Sequence, residues 1–134
     1  MEVLSHSASE TKDLGRNFAG GLRGGEIIEL TGDLGSGKTT FVQGLAEGLG
    51  IKRRILSPTF LIRRSYQGQL NLEHFDFYRL NSPQDLAGLD LDDAVGVPKT
   101  VTIMEWPERV GLQSPKAKRI YFTYVDENTR KIAL

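Results

Sequence analysis

Lys38 is the seventh residue of an eight-residue run, Gly32-Asp33-Leu34-Gly35-Ser36-Gly37-Lys38-Thr39, with the spacing G-x-x-x-x-G-K-[ST]. That spacing serves phosphate chemistry. The anionic oxygens of a triphosphate need several converging backbone N–H groups, and a turn that glycine alone can make presents them. Gly32, Gly35 and Gly37 supply that freedom, Lys38 would reach the β- and γ-phosphates, and the Thr39 hydroxyl would be a ligand of the accompanying Mg²⁺. Residues of these types would fall at these offsets in a random chain of this composition about 1% of the time, so the run is informative but needs context.

The flanking residues supply it. Glu26-Ile27-Ile28-Glu29-Leu30 reads as a short strand, and from Thr40 to Leu49 apolar residues recur at helical spacing, predicting a helix that runs to about Gly50. Strand, loop and helix is the order the motif requires, against the competing reading of an ordinary glycine turn. Asp33, Leu34, Gly35, Ser36, Gly37, Lys38, Thr39 and Thr40 are therefore the candidate nucleotide-binding residues.

Binding a triphosphate differs from hydrolysing it, which also needs a carboxylate near the metal and a group that positions water. In open α/β sheets ligands sit beyond the carboxyl ends of the parallel strands, so acids that end apolar strands are the ones to inspect. Glu105 closes Val101-Thr102-Ile103-Met104 and fits a strand-end ligand of Mg²⁺; the alternative is a surface carboxylate. Asp76, near the end of a strand from Leu70 to Phe77, lies among Phe75, Phe77 and Tyr78, where an unpaired carboxylate is costly. Its alternative is a salt bridge to Arg79. His74 alternates onto the same strand face as Asp76 and reads more readily as structural. Trp106 fits core, nucleotide stacking or a partner contact equally. Thr59, in Ser57-Pro58-Thr59, stands where nucleotide switches carry a threonine that senses γ-phosphate or metal.

The remaining elements must position these groups. A helix is expected from Ser9 to Gly20, with Ser9 as cap and Leu14, Phe18 and Leu22 at helical intervals. Phe60 to Tyr66 and Leu70 to Phe77 read as a hairpin through Gln67-Gly68-Gln69. Pro83 opens a short helical segment capped by Asn81 or Ser82, beside a solvated acidic face at Asp90, Asp92 and Asp93. Arg119 to Val125 and Lys131 to Leu134 read as a closing strand pair. The fold expected is α/β, a P-loop NTPase-like three-layer arrangement with a central mixed β-sheet and helices on both faces, in a single domain over residues 1–134.

At 134 residues the chain has room for one core and little beyond a minimal nucleotide fold, so its work is expected to fall on a partner. It has no cysteine, which excludes disulfides and thiolate metal sites. No secretory start or membrane-length apolar stretch is evident, and the cytoplasm is the expected location. The formal net charge of +0 gives no reason to expect autonomous nucleic-acid binding, and Lys52-Arg53-Arg54 and Arg63-Arg64 read as solvated runs.

Taken in order, Gly32 to Thr40, Ser57-Pro58-Thr59-Phe60, His74-Phe75-Asp76-Phe77-Tyr78-Arg79-Leu80 and Glu105-Trp106-Pro107 closely resemble the motifs of the TsaE family, also called YjeE. These are small ATPases of bacterial tRNA threonylcarbamoyladenosine synthesis. Thr11-Lys12-Asp13-Leu14-Gly15 is similar to the family's N-terminal Thr-x-x-Leu-Gly signature. The resemblance implies that Lys38 binds phosphate, that Thr39 and Glu105 hold Mg²⁺, and that Asp76 and Trp106 belong to the hydrolytic site. It also implies nucleotide contacts at Ala8, Glu108 and Arg130. The implied ligands are ATP or ADP and Mg²⁺. The implied partners are the TsaD and TsaB subunits, with tRNA reached only through their complex and the threonylcarbamoyl transfer done elsewhere. One departure is Leu61-Ile62-Arg63-Arg64, where the family more often has threonine followed by polar or acidic residues.

The competing functions are a small-molecule phosphotransferase, which should carry an Arg-bearing lid and an acceptor pocket, and a nucleotide-binding module that does not hydrolyse. A guanine-specific switch is disfavoured because no Asn-Lys-x-Asp sequence occurs.

Overall fold

The computed structural model describes residues 1–56 and 62–134 of the chain. Its strands are β1 (Glu2–Ser5), β2 (Ile27–Thr31), β3 (Arg63–Tyr66), β4 (Asn71–Asp76), β5 (Thr100–Glu105), β6 (Lys118–Tyr124) and β7 (Arg130–Ala133), and its α-helices are α1 (Ala8–Ala19) and α2 (Lys38–Gly48). They form one sheet in the order β1-β7-β6-β2-β5-β4-β3. The central strands β6, β2, β5 and β4 run parallel, and antiparallel pairs close both edges, β3 on β4 at one and β7 with β1 on β6 at the other. The mixed sheet matches the sequence reading, and so does the hairpin over Arg63–Tyr66 and Asn71–Asp76; Phe60 and Leu61, expected in its first strand, lie outside the described residues. β1 was not expected: four residues of mixed polarity carry no strand period, and it is held by pairing along β7, Val3 opposite Ile132.

One sheet face carries Ile28, Leu30, Leu72, Val101, Ile103, Ile120, Phe122 and Ile132 against Phe41, Val42 and Leu45 of α2. α1 lies against α2 so closely that a Cβ on Gly44 would stand 1.9 Å from the Lys12 carbonyl oxygen, and one on Gly15 2.1 Å from that of Phe41. Glycine is required at this crossing for space rather than for φ. The opposite face buries Phe75, Phe77, Ala94, Met104 and Val110. It is covered by single 3₁₀ turns at Pro83–Leu86, Leu91–Asp93 and Pro107–Val110.

Ser7, not Ser9, caps α1. Its backbone is extended and its side chain accepts from Glu10 N at 3.0 Å, while the Glu10 carboxylate accepts from His6 N at 2.7 Å. The spacing Ser-x-x-Glu that begins at Ser7 explains the choice. Leu22 is buried beyond the end of α1, in the turn that follows it. α2 ends at Gly48 rather than Gly50, because Gly50 takes φ +78° and lets Ile51 N reach Ala46 O and Gly50 N reach Glu47 O, the paired bonds of a Schellman cap. At Pro83, Ser82 caps the turn and the Asp85 carboxylate accepts from Ser82 N.

Candidate nucleotide site

The sheet's helix-side face changes character at one end. In β4 the side chains on that face run Leu72, His74, Asp76, and in β5 they run Val101, Ile103, Glu105, so an apolar surface ends in two carboxylates. Asp76 and Glu105 are register partners at the carboxyl ends of adjacent parallel strands, and Leu30 of β2 pairs with Glu105 from the other side. β2 then leads directly into the glycine-rich loop, which meets the acids where parallel-sheet geometry places ligands.

The loop has the conformations its glycines permit. Gly35 has φ +78° and Gly37 φ +103°, and a Cβ on Gly32 would lie 2.7 Å from the Phe122 carbonyl oxygen. Gly37 is the N-cap of α2 and offers no side chain to it, which leaves the helix's first N–H groups open to an anion. Lys38, 6% exposed, donates to the Gly32 carbonyl, stands 3.7 Å from Glu105 Oε1 and lies 4.5 Å from the Trp106 ring centre. Glu105 accepts from His74 Nε2 at 2.6 Å. Burial alone would raise the Glu105 pKa, but the His74 hydrogen bond and the Lys38 charge outweigh it and hold the carboxyl below its usual value. Asp76 is 5% exposed and its Oδ1 accepts from Tyr78 N at 2.9 Å.

A cleft of about 350 Å³ opens over these groups. Of the expected residues, Ala8, Leu34, Gly35, Gly37, Lys38, Thr39, Thr40, Asp76, Glu105, Trp106 and Arg130 line it. Arg130 arrives from β7 and donates to the Gly35 carbonyl at 3.1 Å, so the C-terminal hairpin braces the loop. Trp106 takes a left-handed backbone (φ +58°) and its ring sits 5.1 Å from that of Tyr78. Asp33, Ser36 and Glu108 are not on the cleft wall. Ser36 is a buried residue of the loop, and Glu108 is exposed on a turn anchored by buried Pro107 and Val110. Thr59 lies outside the described residues.

Ser7, Thr11, Glu127 and Asn128 also line the cleft and were missed as site residues. Thr11 was visible as part of the N-terminal signature, but only the approach of α1 to the loop brings it there. Glu127 and Asn128 belong to a hairpin turn whose composition signals a turn and nothing more.

The oxygen donors Thr39, Asp76 and Glu105 suit a hard cation. A magnesium site at bound phosphates needs only one or two carboxylates beside the phosphate oxygens, and two carboxylates in register at the cleft floor meet that requirement.

The family model for "Threonylcarbamoyl adenosine biosynthesis protein TsaE" matches residues 5–132. A tRNA threonylcarbamoyladenosine biosynthesis protein TsaE from Nostoc sp. PCC 7120 is 38% identical over 134 residues, covering 97% of this chain and 82% of its own length. The TsaE protein of Bacillus subtilis 168 is 41% identical over 110 residues, covering 81% of this chain and 68% of its own length. The crystal structure of Bacillus subtilis YdiB superposes with a TM-score of 0.81 at 32% identity, covering 98% of this chain and 82% of that one.

Proposed function

Because the chain belongs to the TsaE family and so to tRNA threonylcarbamoyladenosine biosynthesis, we propose that it is the pathway's accessory Mg²⁺-dependent ATPase, acting in the cytoplasm on a complex of TsaD and TsaB subunits. The observation that carries this reading is the convergence of Lys38, Asp76, Glu105 and the open N-terminus of α2 on one cleft.

The proposed work of each residue follows from its place. The α2 N-terminus and the loop's N–H groups hold the β- and γ-phosphates, and Lys38 exchanges its contacts with Gly32 and Glu105 for phosphate oxygens. Thr39 and Glu105 hold Mg²⁺, which when bound neutralises charge developing on the phosphates. Asp76 orients the attacking water and takes up its proton as the water oxygen bonds to the γ-phosphorus and the β,γ-bridging oxygen leaves with ADP. Trp106 packs beside Lys38 and Tyr78 and keeps solvent from that side of the site. The threonylcarbamoyl group is transferred by the partners, and hydrolysis here resets their complex between turnovers.

Reconstituted threonylcarbamoylation of tRNA, with and without this protein and with Lys38→Ala, tests the reading. Multiple turnover should depend on the wild-type chain and fail with Lys38→Ala. Equal turnover without the protein would remove it from that role.

A further inference from the structure

We infer that His74 is a positioning residue, which holds one carboxylate oxygen of Glu105 away from the cleft and leaves the other as that side chain's single ligand-facing oxygen. This rests on Glu105 serving as a metal-side carboxylate. His74 pairs in register with Ile103, one step along the same face from Glu105, so the two side chains are diagonal neighbours within reach of each other. The imidazole is fully buried, its Nε2 is 2.6 Å from Glu105 Oε2, and Oε1 is the oxygen that looks toward Lys38 at 3.7 Å. An ionised carboxylate only accepts, so Nε2 carries the proton of this bond. Nδ1 is buried without a hydrogen-bond partner among the described residues, so the Glu105 bond is the polar interaction that orients the ring.

A terminal carboxylate torsion is broad, and a free Glu105 could present either oxygen or both. Pinning Oε2 fixes that torsion before a ligand arrives. His74 itself is absent from the cleft wall. It therefore acts through Glu105, in the manner of groups that orient a metal's ligands from behind.

The test is calorimetric titration of ADP in Mg²⁺ and in EDTA for wild type, His74→Leu, His74→Gln and Glu105→Gln. His74→Leu fills the space without a donor, and His74→Gln places an amide N–H near the Nε2 position. The Leu variant should lose about tenfold of the Mg²⁺-dependent gain in affinity, with affinity in EDTA changed less than about twofold, and Gln should restore most of the loss. If the Leu variant does not fold, His74→Asn, whose amide stops short of Nε2, takes its place. In a Glu105→Gln background the same change should have no further effect. Equal behaviour of the donor-bearing and donor-free variants, or an equal loss in EDTA, overturns the inference. If Glu105→Gln loses the Mg²⁺ gain and the donor-free variant keeps it, this inference fails alone. If wild type itself shows no Mg²⁺ gain, the reading of Glu105 fails and takes this one with it.

Discussion

Glu29 and Glu105 sit on neighbouring parallel strands, and each is 4% exposed. Glu29 lies mid-strand on β2, on the face turned away from α1 and α2, between its register partners Met104 and Arg119. Its Oε1 is ion-paired with Arg119, 3.0 Å from Nε, and its Oε2 has no hydrogen-bond partner among the described residues. Glu105 ends its strand on the helix side, with His74 behind it, Lys38 in front and the cleft above. Burial alone therefore does not mark a site. A carboxylate becomes useful where strand end, helix N-terminus and a second acid converge, whereas the same group one strand away holds, among the described residues, an ion pair whose arginine is 40% exposed.

The sharpest break between strand end and strand middle should come from Asp76. Asp76→Asn is expected to cut phosphate release by roughly a thousandfold while ATP affinity moves less than about threefold, as measured by single-turnover release and by titration. Next, Glu105→Gln should lower release by about a hundredfold and abolish the Mg²⁺-dependent part of nucleotide affinity, while Glu29→Gln leaves both within about twofold. Sensitivity of both functions to Glu29→Gln would erase the distinction.

Two smaller effects concern stability. The Glu105 carboxyl is held below the ordinary value of 4.5, so its stabilising contribution is fully present above that pH and is lost as pH falls through the lower folded value. Urea unfolding of wild type should therefore weaken more than that of Glu105→Gln between about pH 5.5 and pH 3.5, and parallel curves would deny that link. Smallest of all, Glu29→Gln should shift unfolding free energy by no more than about 1 kcal/mol, since the lost pair is half solvated and the change also removes a buried charge.

Much of the site could be read in the chain because local rules govern it. Gly32 to Thr39 declares its turn through glycine, and Glu105 and Asp76 declare themselves as acids ending apolar strands. The residues that were missed depend on long-range packing. Ser7 and Thr11 reach the cleft because α1 crosses α2 at Gly15 and Gly44, and Glu127 and Asn128 because the β6–β7 turn folds back over the loop. His74 was legible as a strand residue, but its bond to Glu105 needs the parallel register of β4 and β5, which no periodicity encodes. The same applies to β1, whose pairing along β7 joins the two ends of the sequence.

Phosphate release from ATP in the presence of TsaD and TsaB subunits, with Mg²⁺ or EDTA and with wild type or Lys38→Ala, tests the central claim most directly. The account predicts release that requires Mg²⁺ and falls to background with Lys38→Ala. Release that persists in EDTA, or that Lys38→Ala sustains at the wild-type rate, would contradict it.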